Sequence, residues 1–142
     1  MSHSIYFNFI IKSDKASVYY AVSHPDHLVN WWPLKCSGIP KEGETYNFNF
    51  TDEYDWYAKV VSCEQDDHIH FKMTKSDDDW DPTTFGFKLK EKENGTCLNF
   101  FHKDWPECNN HFKHSSFCWA MLLNGLKDYL EKGVIIPFED RS

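Results

Sequence analysis

The sequence predicts an α+β fold: a curved antiparallel sheet of about six strands wrapped around one long C-terminal helix, with two short helices after the first strand. Three observations carry this. Apolar and polar residues alternate with period two through the middle of the chain, as in Tyr46, Phe48 and Phe50 against Thr45, Asn47 and Asn49. Asn94-Gly95, a strong short-range hairpin signal, lies between two such runs. The stretch from about Asn110 to Lys132 has no proline and carries Phe112, Trp119, Leu122, Leu123, Leu126 and Leu130 in one helical stripe.

The elements follow in order. Ser4 to Lys12, rich in Ile and Phe, reads as a strand. Ser13-Asp14 supplies a helix N-cap, and Val18, Ala21 and Val22 follow at helical spacing. Pro25 suits the first turn of a second short helix, expected to carry Leu28, Trp31 and Trp32 and to end before Pro33. Ser37 to Gly43 reads as a loop. Trp56, Ala58 and Val60 share one face of the next strand, Ile69, Phe71 and Met73 one face of another, and Phe85, Phe87 and Leu89 one face of a third. Thr96 to His102 closes the series. Gly133 is a natural stop for the long helix, and Pro137 follows it.

Composition narrows the function. The chain has 142 residues, which reads as a single domain over 1–142. It holds 12 Phe, 7 Tyr and 6 Trp, an aromatic share of 18%, so it has ample surface to bury and is not a disordered chain. A net charge of −7 lacks the basic footprint of a nucleic-acid binder and the charge for docking on anionic lipid. No apolar run reaches the roughly 20 residues of a membrane span, and Met1 to Lys12 has no signal-peptide pattern, so no membrane insertion and a cytoplasmic location are expected. Five cysteines without a C-x-x-C pair read as reduced thiols.

A helix about 10 Å across cannot fill the concavity of a curled sheet of this size. Either large side chains fill the rest or a cavity stays open. Trp32, Tyr46, Phe48, Trp56, Phe71, Phe85 and Phe100 are the expected walls of such a cavity, with Trp119, Leu122 and Leu126 as a helical lid. His102 shares parity with Leu98 and Phe100. It reads either as a polar anchor or acid/base in the pocket, or as a structural histidine bonded to a backbone carbonyl. The Tyr46 hydroxyl is a second candidate anchor.

Other motifs are weaker. His111, His114 and Cys118 lie on one helix flank, with Cys108 upstream, but no second ligand cluster at finger-like spacing accompanies them. His68-x-His70 reads as solvated sheet surface. Asp77-Asp78-Asp79-Trp80-Asp81 lacks the glycine and closing glutamate of a calcium loop and reads as a hairpin connection with Trp80 packed back. Lys88, Lys90 and Lys92 are interleaved with Glu91 and Glu93. No motif for nucleotide binding or for a serine or zinc hydrolase is present, and no metal or cofactor is expected.

Taken together, Trp31-Trp32, Gly43 with Tyr46-x-Phe48, Trp56-x-Ala58-Lys59-Val60, Trp80-x-x-Thr83, Thr96-x-Leu98-x-Phe100-x-His102 with Trp105, and Cys118-Trp119-x3-Leu123-x2-Leu126-Lys127 with Gly133 and Pro137-Phe138 resemble the START-like helix-grip superfamily. They are most similar to the branch of the activator of heat-shock protein 90 ATPase homologues, over roughly Ile5 to Phe138. The resemblance implies a deep pocket between sheet and long helix that holds an apolar or amphipathic small molecule. Two alternatives come with it: a cyclase or hydrolase using His102, and a co-chaperone-like interaction domain. The chaperone activator carries a further N-terminal domain not seen in these residues, which weighs against chaperone stimulation. An exposed edge strand or outward residues such as Tyr57, Val61 and Phe101 would serve a homodimer or other partner.

Overall fold

The computed structural model describes residues 2–141. Its elements are β1 (His3–Ile11), α1 (Lys15–Ser23), α2 (Pro25–Leu28), β2 (Lys35–Ser37), β3 (Thr45–Asn49), β4 (Asp55–Glu64), β5 (His68–Lys75), β6 (Thr84–Lys92), β7 (Gly95–Trp105) and α3 (Asn110–Lys132). The strands form one antiparallel sheet in the order β1-β7-β6-β5-β4-β3-β2. From β2 to β7 the chain is a simple meander. The connection from β1 to β2 must therefore cross the whole sheet, and α1 and α2 make that crossing.

Local chemistry sets the helix ends. The Asp14 carboxylate accepts from Ser17 N at 3.3 Å and from Ser17 Oγ at 2.6 Å, which starts α1 and holds the Asp14 carboxyl below its ordinary range. Asn109 caps α3 by accepting from Phe112 N at 2.9 Å. Gly133 ends α3 in the left-handed conformation, at φ 69°.

Three details depart from the sequence reading. The sheet has seven strands: Cys36 pairs with Phe48 in β2, a three-residue strand too short to show periodicity. Helix α2 stops at Leu28, and Trp31 and Trp32 sit in the irregular turn after it, because the ring of Pro33 disfavours helical backbone at Trp32. The last hairpin turns one residue earlier than expected. Lys92 pairs with Gly95, so Glu93 and Asn94 form the loop. Gly95 takes φ 144°, and a Cβ there would collide with the Ile11 carbonyl oxygen of the neighbouring strand.

The two faces of the sheet differ sharply. Inward residues of all the long strands, among them Tyr46, Phe48, Ala58, Val60, Phe71, Phe85, Phe87, Leu98 and Phe100, form one buried cluster with Trp119, Leu122, Leu123 and Leu126 of α3. The outer face is polar, with one packed notch. There the His70 ring lies over Gly86 and edge-on to Phe101 at 4.8 Å, so His70 is not the solvated residue its pattern suggests, and burial lowers it to about 4.

Gly95→Ala is expected to destabilise the protein by about 2 kcal/mol, through both the positive φ and the collision with β1. Urea unfolding measures this; a change below roughly 0.5 kcal/mol would show that the hairpin rearranges freely.

Candidate functional site

The interior between sheet and helix is largely filled, and at one end lies a cleft of about 460 Å³. Helix α3 lines it with His111, His114, Ser115, Cys118, Trp119 and Leu122. These positions recur at three, four and seven residues, which places them on one flank of the N-terminal half of the helix. Opposite them stand Phe50, Tyr54 and Trp56 from the β3–β4 hairpin. Asp77 and Trp80 from the β5–β6 connection close one side, and Trp32 forms the back.

Rings dominate this wall. Trp32 to Phe50 is 5.7 Å, Phe50 to Trp56 5.6 Å, Trp56 to Trp80 4.8 Å, Trp80 to Trp119 6.1 Å and Trp119 back to Trp32 4.8 Å, so five rings close a circuit. Trp32 is held in place from behind. The buried Arg141 guanidinium donates to the carbonyls of Val29 at 2.8 Å, Trp32 at 3.3 Å and Pro33 at 3.3 Å, and Arg141 Nε donates to Ile136 O at 2.8 Å.

Residues 12–131 match the family described as Activator of Hsp90 ATPase homolog 1-like protein. The chain belongs to that family. Its fold is the helix-grip fold of the START-like superfamily. The solution structure of the Aha1 dimer from Colwellia psychrerythraea is 29% identical, with a TM-score of 0.84 over 92% of this chain and 98% of that one. Protein SSP2350 from Staphylococcus saprophyticus is 20% identical, with a TM-score of 0.80 over 94% of this chain and 96% of its own. CalU16 from Micromonospora echinospora is 17% identical, with a TM-score of 0.76 over 93% of this chain and 78% of its own. These last two likenesses concern the fold alone. Among curated protein sequences none is significantly similar to this chain.

Within this family member, the expected pocket residues divide into two groups. Trp32, Trp56, Trp119 and Leu122 line the cleft. Tyr46, Phe48, Phe71, Phe85, Phe100 and Leu126 do not; they are packed solid beneath it, with Phe71 stacked on Phe85 at 5.1 Å and Phe100 against Trp119 at 4.5 Å. The reason is volume: bulky rings at alternate positions of adjacent strands meet over the concave face and take up the space one helix leaves. The Tyr46 hydroxyl is not an anchor for a ligand either. It donates to Ser23 O at 2.6 Å, tying β3 to the end of α1, and burial pushes its pKa up.

His102 is also removed from the cleft, with 0% exposure. Trp119 Nε1–H donates to His102 Nδ1 at 3.0 Å, so the proton of the neutral ring sits on Nε2. That N–H donates to Thr83 Oγ1 at 2.8 Å, and the Thr83 hydroxyl donates in turn to Trp80 O at 2.6 Å. The histidine is structural, as one reading held, but its partners are a hydroxyl and an indole instead of a backbone carbonyl. Both ring nitrogens are used, and burial lowers its pKa to about 3. An acid/base working near neutral pH needs a free nitrogen within reach of substrate, and His102 offers none.

The rest of the cleft lining comes mostly from residues that periodicity does not single out. Phe50, Tyr54, Asp77, Trp80 and Ser115 line the cleft beside the expected rings. Asp77 Oδ1 accepts from Asp79 N at 3.1 Å and Trp80 N at 2.8 Å, so the acidic run is an ordered turn that seats Trp80. Asp79 Oδ2 meets His111 Nδ1 at 3.0 Å, docking this turn on the start of α3. His114 Nε2 lies 3.4 Å from Cys118 Sγ, while Cys108 is exposed, and the four do not form a metal set. Glu64, Asp67 and His68 bring ligand atoms within 4.8 Å of one another on the outer face. However, His68 Nδ1 is taken by Asp67 at 2.7 Å and Nε2 by Ser62 Oγ at 2.8 Å, a polar clasp across the β4–β5 hairpin.

His102→Phe is expected to cost about 2 kcal/mol at pH 7, because Trp119 Nε1–H loses its buried acceptor. The pH dependence has a definite sign. The unfolded chain protonates His102 near the ordinary value of 6.5, the folded one only near 3. Its stabilising contribution is therefore complete above pH 6.5 and declines as pH falls toward 3, by up to about 1.4 kcal/mol per pH unit. Urea unfolding of both proteins from pH 7.5 to 4.5 should show the gap between them narrowing with acid; a constant gap contradicts a neutral buried imidazole.

Proposed function

We propose that this protein binds a small apolar or amphipathic molecule in the cleft between the β3–β4 hairpin and the N-terminal half of α3. The observation that carries this reading is the cleft itself: about 460 Å³, walled by Trp32, Phe50, Tyr54, Trp56, Trp80, Trp119 and Leu122. That volume lies within the range of small-molecule sites. Burial of ring surface supplies affinity at roughly 25 cal/mol per Å², and the polar rim of Asp77, His111, His114 and Ser115 lets one end of a ligand face water. Family membership and the superfamily's pocket in the same layer support it.

The reading favours binding over catalysis, since His102 is withdrawn from the cleft and both its ring nitrogens are engaged. The five cysteines include no C-x-x-C pair, as suits a reducing, cytoplasmic setting. No helix among the described residues is long and apolar enough to cross a membrane. A co-chaperone role has less behind it. Of the outward residues named for it, Val61 is exposed, whereas Tyr57 and Phe101 are half-buried beside Lys75 and Lys103 and make no broad greasy patch. Pairing of two copies is supported by the dimeric relative from Colwellia psychrerythraea and by Tyr6, 72% exposed on edge strand β1; a solution mass of one chain would exclude it.

Titration with an uncharged amphiphile such as 1-decanol is expected to change tryptophan fluorescence saturably, with one site per chain. Trp56→Ala, which removes a wall without touching the deep core, should weaken binding about tenfold. A linear, unsaturable response in the native protein contradicts the proposal.

A further inference from the structure

The make-up of the cleft says more about its ligand than that it is greasy. Around Trp56 the rings are set nearly at right angles: Phe50 lies at 70° and 5.6 Å, Tyr54 at 84° and 6.3 Å. These are the rings nearest solvent, Tyr54 being 52% exposed and Phe50 and Trp56 half-buried, so they form a corner open to an incoming group. The same cleft is lined by one carboxylate, Asp77. Asp77 Oδ1 is fixed by the amides of Asp79 and Trp80, while Oδ2 lies 3.7 Å from His111 Nε2 in a side chain 37% exposed. No lysine or arginine lines the cleft, so its one permanently charged lining group is negative. The chain as a whole carries −7.

A cation is attracted to the π faces of aromatic rings such as those that line the cleft, and a fixed carboxylate in the same lining adds a full negative charge. An uncharged hydrocarbon gains nothing from that field, and a carboxylate or phosphate is repelled by it. We propose that the cleft prefers an organic cation, a quaternary or fully alkylated ammonium group carried on an apolar body, with the ammonium in the Phe50–Tyr54–Trp56 corner toward Asp77. This rests on the cleft being a binding site, as proposed above, and adds the charge of the occupant.

The test compares two molecules of nearly the same shape: benzyltrimethylammonium and its uncharged isostere, neopentylbenzene. Both are titrated in buffer of roughly 0.15 M ionic strength, where the general pull of an acidic protein is largely screened. Indole and backbone NMR shifts are followed. The cation is expected to bind about tenfold more tightly than the isostere. Asp77→Asn, whose side-chain oxygen still accepts from Asp79 and Trp80, should lower the cation's affinity about threefold to tenfold and leave the isostere unchanged. Trp56→Ala should weaken both. If the isostere binds as well as the cation, or Asp77→Asn changes neither, the charge preference is wrong while the binding site stands. If neither binds but 1-decanol does, the preference is again wrong. If none of the three binds, both proposals fall.

Discussion

The concave face of a seven-stranded sheet must be filled by something wider than one helix, and this chain fills it with rings. Nearly everything else follows from that constraint. Phe48, Phe71, Phe85, Phe87 and Phe100 rise from alternate positions of neighbouring strands, and Trp32 and Trp119 descend on them from the helical side. Phe85 alone has ring contacts with Trp32, Phe48, Phe71, Phe87 and Trp119, all within 6.3 Å. Close packing of this kind leaves no central hollow. Open space survives at the margins of the core, among them the end between the β3–β4 hairpin and the first turns of α3.

Three polar devices keep that arrangement in register. Arg141, brought back from the end of the chain, holds the turn that carries Trp32. Tyr46 ties the middle of β3 to α1. The chain of Trp119, His102, Thr83 and the Trp80 carbonyl joins helix, strand and turn through three hydrogen bonds, with no donor left over. Each is buried, where a lost partner costs more than a typical hydrogen bond contributes. Together they fix the three tryptophans that form the inner boundary of the cleft.

Much of this was legible in the residues. Period-two alternation set the inward faces of β3, β5 and β6, and Asp14 and Gly133 marked helix ends through capping chemistry. What alternation cannot give is volume. Tyr46 and Trp56 look alike in the pattern, yet one is sealed against Ser23 and the other lines an opening, because β4 reaches past the end of the helix-covered core. Tyr54 and the role of Asp77 escaped notice for a related reason: they lie in turns, where neither period applies. The seventh strand was hidden by its length, and the hydroxyl partner of His102 by the sequence distance between Thr83 and β7. The carboxylate–indole–imidazole rim at Asp77, Trp80 and His111 is likewise a product of the β5–β6 turn docking on α3, which no local spacing announces.

The central claim is that ligand access stops at the ring circuit and does not extend into the core below it. A structure of the protein soaked or co-crystallised with an apolar probe carrying a heavy atom, such as iodobenzene, tests this most directly. The iodine is expected against Trp56 and Phe50 at the cleft, with Phe48, Phe71 and Phe100 unmoved. Iodine density among Tyr46, Phe71 and Phe85, with those rings displaced, would contradict it.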